Sequence, residues 1–262
     1  MKIAVCMSGQ LRQWKVAKEN QKWFWETSGV EIDYFIHTWD YSGDREGVSQ
    51  PYITRDVSRK EFDKLVDWYK PKGCMFDDRK QDFFYANDHW SSLFYSMAQS
   101  MILKRQYEID NDFEYDLVIK TRPDVVFDPR YHFSWEPLED NILFATQGGL
   151  MESEFHMFNT NDMVFYGKSY TMDLVIPMYF YRQKMLDQRN LFKDKLFTGS
   201  MGPGVLMQEY FRDYGITTQS IQPNRSTFIE TLVKLGCPQD LNLMDHNEFH
   251  KMEKYFRDWY TK

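Results

Sequence analysis

Three polar tips, each just after a short apolar run, carry residue types that handle phosphates and sugars: Arg122-Pro123-Asp124, Ser8-Gly9-Gln10 and His37-Thr38-Trp39-Asp40. An Asp at the end of a buried strand suits a hard cation. Mg²⁺ or Mn²⁺ on a diphosphate needs one or two protein carboxylates, because phosphate oxygens and water fill the remaining positions. Asp124 is placed for that task, Pro123 stiffens the backbone presenting it, and Arg122 can fork onto a phosphate. The plain alternative is a turn with a surface Asp. Gly9 permits close backbone approach to a nucleotide, the helix expected after it favours anions, and Arg12 can face a phosphate or solvent. Trp39 can stack on a base or sugar, and Asp40 can bond a base or ribose edge. His37 reads first as a structural histidine near a strand end.

Further along, Asp162 sits at a strand boundary and is the leading candidate to take a proton from an acceptor hydroxyl. Glu152 and Glu154, after Gly148-Gly149, are the other carboxylates of that region. His246 and His250 stand four residues apart and share a helix face. Without an HExxH pattern they read as a surface pair rather than a zinc site. Neither GxGxxG nor a Walker A motif is present, so a dinucleotide site has little support.

Alternation of strands and helices must position these tips. Residues 2–7 are an apolar run ending in a Gly turn, followed by a helical stretch to about residue 27. Residues 32–37 form the second strand and 73–76 a third. Residues 42–56, with Gly43, Gly47 and Pro51 among charges, read as loop. Ser58 with Glu61 makes a capping box for a helix over 58–69. The clearest helix covers 90–109, where Leu93, Met97, Met101, Leu103 and Tyr107 make its apolar stripe. Residues 115–120 are a buried strand that continues extended over 125–127, and strands follow at 142–146 and 163–166. Helices are expected at 169–187, at 203–214 with Gly215 as its C′ residue, and at 245–260. The pattern predicts an α/β fold with a mostly parallel sheet flanked by helices, whose ligand site lies beyond the carboxyl ends of the strands.

The 262 residues fit one large domain, and 42% apolar residues suffice for a core. A net charge of −7 argues against a nucleic-acid partner. Cys6, Cys74 and Cys237 form no CxxC pair, which fits a reducing compartment. Residues 3–7 are too short for a signal core or a membrane span, and no later stretch is long enough. The expectation is a cytoplasmic protein (host cytoplasm if viral) without a transmembrane segment.

Four segments in order carry a family likeness over about residues 1–216. The opening KIAVCMSGQLRQW, Asp33 to Asp40 read as DYFIHTWD, YDLVIKTRPDVVF at 115–127 and NDMVFYG at 161–167 resemble a group of bacterial and viral glycosyltransferase-like proteins. The resemblance implies a GT-A-like (Rossmann-like) fold in a single glycosyltransferase domain. Residues 1–130 would be its nucleotide-sugar-binding half, and 131–262 its acceptor-side half with a helical C-terminal part. It implies sugar transfer from a nucleotide sugar, with UDP as a family-level expectation, to a glycan or other hydroxyl acceptor. Mn²⁺ or Mg²⁺ would be the cofactor. Ser8, Gly9, Gln10 and Arg12, then His37, Thr38, Trp39 and Asp40, then Arg122, Pro123 and Asp124 would bind the donor. Asp124 would hold the metal and Asp162 would be catalytic. The chain departs from the DxD motif of such enzymes, because Arg122-Pro123-Asp124 stands in its place and only the last acidic position matches. Arg122 can then substitute part of the cation's charge. Where related sequences show Pro-Glu this chain has Pro203-Gly204, so weight shifts to Asp162 or to a retaining mechanism without a dedicated base. Two other readings stay open: a nucleotide-sugar- or glycan-binding protein with a degenerate GT-A site, and a nucleotidyltransferase.

Overall fold

Runs that are apolar at most positions can be buried on both faces inside a covered sheet. In the computed structural model, which describes residues 1–12, 14–26, 30–42, 55–78, 89–125, 127, 139–147, 160–181 and 203–220, such runs become β1 (Lys2–Ser8), β2 (Glu31–Trp39) and β6 (Leu117–Thr121). β1 pairs in parallel with β2 on one side and β6 on the other, so that Val5 lies between Tyr34 and Ile119. β5 (Gly73–Asp77) adds in parallel outside β2. β8 (Thr160–Gly167) runs antiparallel to β6 and to β7 (Ile142–Gln147), and β9 (Thr217–Ser220) closes the other edge parallel to β7. The seven strands lie in the order β5-β2-β1-β6-β8-β7-β9. β3 (Tyr41–Ser42) and β4 (Arg55–Asp56) form a separate antiparallel pair. The loop expected over 42–56 is thereby corrected at its ends, where Ser42 pairs with Arg55 and Asp56 pairs with Tyr41; residues 43–54 lie outside the described residues.

Side-chain alternation sorts β1 onto two faces. Ile3, Val5 and Met7 join α1 (Trp14–Glu26) and α2 (Arg59–Tyr69) through Trp14, Phe24, Trp25, Phe62 and Leu65. Ala4 and Cys6 join α3 (His89–Asn111), α4 (Ser169–Asp173), α5 (Val175–Met178) and α6 (Pro203–Asp213). The chain winds β1-α1-β2-α2-β5 toward one edge. It then crosses through α3 to lay β6 on the far side of β1. The strand order therefore reverses between β1 and β6.

Local signals explain most element ends. Ser58 Oγ accepts the Glu61 N–H at 3.2 Å, as the capping pattern requires. The Glu61 carboxylate also accepts the Trp14 indole N–H at 3.0 Å, which ties α2 to α1. Gly215 adopts φ 72° after α6, a conformation that costs glycine little. One helical expectation needs correction. Within residues 169–178 the helix expected over 169–187 is two short pieces broken at Leu174, and 182–187 lie outside the described residues. Pro177 has no N–H for the Asp173 carbonyl, and its ring crowds that oxygen, so one helix cannot run through. β6 stops at Thr121 and the Val125 N–H turns back to the Arg122 carbonyl at 3.3 Å, so a turn separates β6 from residues 125–127, of which Val126 lies outside the described residues. The helix expected at 245–260 lies outside the described residues.

The buried stripe of α3 holds charges that the apolar pattern concealed. Phe94, Met97 and Met101 are followed by Lys104 and Glu108, both buried. Lys104 Nζ donates to Glu108 Oε2 at 2.9 Å, to Ser169 Oγ at 2.6 Å and to Asp173 Oδ1 at 2.6 Å. Glu108 Oε1 accepts from Ser169 Oγ at 2.6 Å and from the Tyr115 N–H at 2.9 Å. The network thus joins α3, α4 and the entry to β6. Removing one partner of a buried pair leaves the other uncompensated. Lys104→Met is expected to lower unfolding free energy by about 3–5 kcal/mol, read from urea denaturation of the full chain.

Candidate functional site

Because β5, β2, β1 and β6 are parallel, their carboxyl ends share one edge, and the order reverses between β1 and β6. A crevice opens where the chain leaves two neighbouring strands in opposite directions, and ligands of such sheets bind there. The chain leaves β1 through Ser8-Gly9-Gln10-Leu11-Arg12 and β6 through Arg122-Pro123-Asp124. Gly9 has φ 125°, and a Cβ built on it would lie 3.9 Å from Arg122 Cγ, so the two turns touch. Its N–H donates to the His37 carbonyl at 3.3 Å, which links this turn to β2.

Arg122 and Asp124 form a forked pair, Nε to Oδ1 at 2.9 Å and Nη2 to Oδ2 at 2.7 Å. Arg12 Nη1 lies 3.9 Å from the same Oδ2, and Arg12 Nε donates to Gln10 Oε1 at 3.2 Å. Asp124 is 8% exposed. Burial alone would raise its carboxyl, but the Arg122 charge and hydrogen bonds, with the Arg12 charge, outweigh burial and hold it below the usual range. Pro123 is buried beneath this pair.

The turn after β6 is clamped by α1. Gln21 Nε2 donates to the Arg122 carbonyl at 2.8 Å and also to the Val125 carbonyl. Tyr69 of α2 donates its hydroxyl to Gln21 Oε1 at 3.3 Å. Asn20 holds both backbone groups of Phe127, at 2.7 and 2.6 Å. The Phe127 ring stacks on Phe24 at 4.4 Å and meets Trp25 edge-on at 4.6 Å. Sequence reading missed Asn20 and Gln21, because an amide pair in a polar helix gives no sign that it faces inward.

The β2 tip is mostly an interior structure. His37 Nε2 lies 3.1 Å from Asp77 Oδ2 and Nδ1 lies 2.7 Å from Ser96 Oγ. Burial outweighs Asp77 and lowers the His37 pKa, so the ring is neutral, with Nε2–H donating to Asp77 and Nδ1 accepting from Ser96. Tyr95 donates its hydroxyl to Asp77 at 2.9 Å. Trp39 is 3% exposed and meets His37 edge-on at 4.9 Å and Tyr95 at 5.4 Å, while His37 and Tyr95 meet each other at 5.5 Å. Tyr95, only partly buried, is the most exposed of the three rings and also meets Tyr179 edge-on at 5.3 Å. Asp40 sits at the rim, its N–H bonded to the Asp77 carbonyl at 2.9 Å. The buried hydroxyls of Ser8 and Thr121, which end β1 and β6, and of Thr38, one residue before the end of β2, have no hydrogen-bond partner among the described residues.

At Asp124 a divalent cation would have to share the carboxylate with the Arg122 fork, which takes one acceptor direction at each oxygen, and would lie close to two guanidinium groups. Among the described residues no group of three or more His, Cys, Asp or Glu side chains could hold a metal ion. The backbone of Asp162 runs in β8, while its side chain lies outside the described part, as do Glu152, Glu154, His246 and His250. No described helix is long and apolar enough to cross a membrane.

No family model matches the chain, and no curated protein matches it in sequence. Solved structures similar to it include a glycosyltransferase involved in the glycosylation of the major capsid of PBCV-1. That likeness has TM-score 0.44 and 10% identity, over 90% of this chain and 90% of that one. The apo form of the glycosyltransferase GlyE of Streptococcus pneumoniae TIGR4 gives TM-score 0.39 and 15% identity, over 84% of this chain and 45% of that one. A second GlyE structure gives TM-score 0.41 and 13% identity, over 86% of this chain and 46% of that one. Identities this low transfer no residue role to this chain.

Asp124 is linked to acid stability through its lowered folded pKa. Its contribution is present above the unfolded pKa, about 3.9, and is lost as pH falls through the folded value. Asp124→Asn is therefore expected to remove part of the loss of stability below about pH 4, measured as melting temperature against pH.

Proposed function

We propose that the chain is a glycosyltransferase that takes its sugar from a nucleoside-diphosphate sugar, a UDP-sugar on the family-level expectation, and passes it to a hydroxyl of a glycan or other acceptor. The observation that carries this reading is the meeting of the Gly9 turn with the Arg122-Pro123-Asp124 turn at the β1/β6 reversal. That position suits a nucleotide, and the side chains there are guanidinium groups, which match phosphate oxygens in shape and charge. The four sequence segments that resemble glycosyltransferase-like proteins supply the sugar.

In this reading the reaction breaks the bond between the anomeric carbon and the β-phosphate oxygen and joins that carbon to the acceptor oxygen. Negative charge grows on the departing diphosphate. Fixed positive groups aimed at it stabilise the transition state more than the ground state. Arg12 and Arg122 fill that role, Gly9 lets the backbone approach, and the clamp from Asn20 and Gln21 keeps the groups in place before the donor arrives. His37, Thr38 and Trp39 act by supporting Tyr95 and Asp40 at the rim, where a base or sugar can rest against an aromatic face. Asp162 is the candidate to receive the acceptor proton.

A second reading, a binding protein that retains the nucleotide sugar without transfer, is favoured by one observation: Arg122 stands where an acidic residue would complete a DxD motif. Turnover separates the two. With a panel of nucleotide sugars and acceptor glycans, the transferase reading expects release of nucleoside diphosphate. Arg122→Ala should reduce kcat/KM about 10²-fold or more with the fold retained. Binding without release favours the second reading, and neither binding nor release refutes both.

A further inference from the structure

We infer that the switch-point crevice holds its diphosphate with two guanidinium groups and no divalent cation, and that Asp124 is a positioning residue for Arg122 rather than a metal ligand. The inference rests on the donor-binding reading above and specifies the chemistry of that same site.

The Asp124 carboxylate is bound at both oxygens by one planar fork, at 2.9 and 2.7 Å, with the second guanidinium 3.9 Å away. A divalent ion on this carboxylate would have to displace Arg122 while staying close to two positive groups, in a place shielded from water. A phosphate meets the opposite situation. Arg12 and Arg122 keep their charge at any physiological pH, and a guanidinium matches phosphate oxygens in shape and charge. The Asp124 fork fixes the plane of Arg122, so an oxyanion finds its partner already oriented.

The surroundings point to the same ligand. α1, thirteen residues long, begins at Trp14, so its N-terminus follows the turn after β1 on the carboxyl side of that strand. Gly9 places no side chain between the turns. Ser8 is 1% exposed and Thr121 is fully buried, and their hydroxyls have no hydrogen-bond partner among the described residues. They end the two strands that flank the reversal, and a buried hydroxyl without a partner is costly unless a ligand or water completes it.

The test is isothermal titration of the full chain with UDP, GDP, CDP and ADP and with their parent nucleosides, in EDTA and again in Mn²⁺ or Mg²⁺. The expected result is one diphosphate that binds with the same affinity in EDTA and in metal. Arg122→Gln should weaken that diphosphate about ten-fold or more and leave the parent nucleoside unchanged. Asp124→Asn should act in the same selective way, because it frees the Arg122 plane. If Asp124→Asn fails to fold, Arg12→Gln, whose side chain is more exposed, carries the same test. Binding that requires Mn²⁺ or Mg²⁺ overturns the inference and leaves the donor reading standing. Equal weakening of diphosphate and nucleoside by Asp124→Asn overturns the positioning role. Absence of binding by every diphosphate in both conditions overturns the donor reading, and the inference with it.

Discussion

Two neighbouring amides on α1, Asn20 and Gln21, hold the turn that follows β6, and the geometry of the crevice depends on them. A chain leaving a buried strand carries backbone carbonyls and N–H groups that must find partners before they can be shielded from water. Here Gln21 takes the carbonyls of Arg122 and Val125, Asn20 takes both groups of Phe127, and the Phe127 ring closes the end against Phe24 and Trp25. Arg122 and Asp124 can form their fork only because the backbone on either side of Pro123 is fixed in this way. Gln21 is itself held by Tyr69, so three elements converge on one turn.

The half of the sheet beyond β6 is organised by a different polar device. Lys104 and Glu108 continue the buried stripe of α3 and draw in Ser169 and Asp173, so the short helices after β8 are fixed by charge as well as by Met172, Val175 and Met178. Both halves therefore rely on buried polar groups that are satisfied by partners distant in sequence. Ser8, Thr38 and Thr121, at or next to strand ends, lack hydrogen-bond partners among the described residues, as do the Trp68 indole N–H and the Thr171 hydroxyl elsewhere in the fold.

The sequence made the central strands legible because β1, β2 and β6 are largely buried on both faces and hold apolar runs such as Ile3–Met7, Tyr34–Ile36 and Leu117–Ile119. The tips after them were legible for the related reason that polarity returns abruptly where the sheet ends. Asn20, Gln21, Lys104 and Glu108 were not legible, because each is a polar residue that in a helix most often faces solvent, and only the tertiary fold turns it inward. The pairing of Arg122 with Asp124 was equally hidden: two residues apart in the chain, they read as separate ligands for phosphate and metal until the turn brought them together. His37 shows the converse, a residue whose type suggests chemistry but whose ring nitrogens are both engaged inside the fold by Ser96 and Asp77.

The measurement that tests the central claim most directly is hydrogen–deuterium exchange of the full chain with and without UDP-sugar. Binding at the reversal of strand order predicts slowed exchange in the backbone amides of residues 8–12 and 121–127, with little change along β7 and β9. Protection confined to β7, β9 or α6, with residues 8–12 and 121–127 unchanged, would contradict the account.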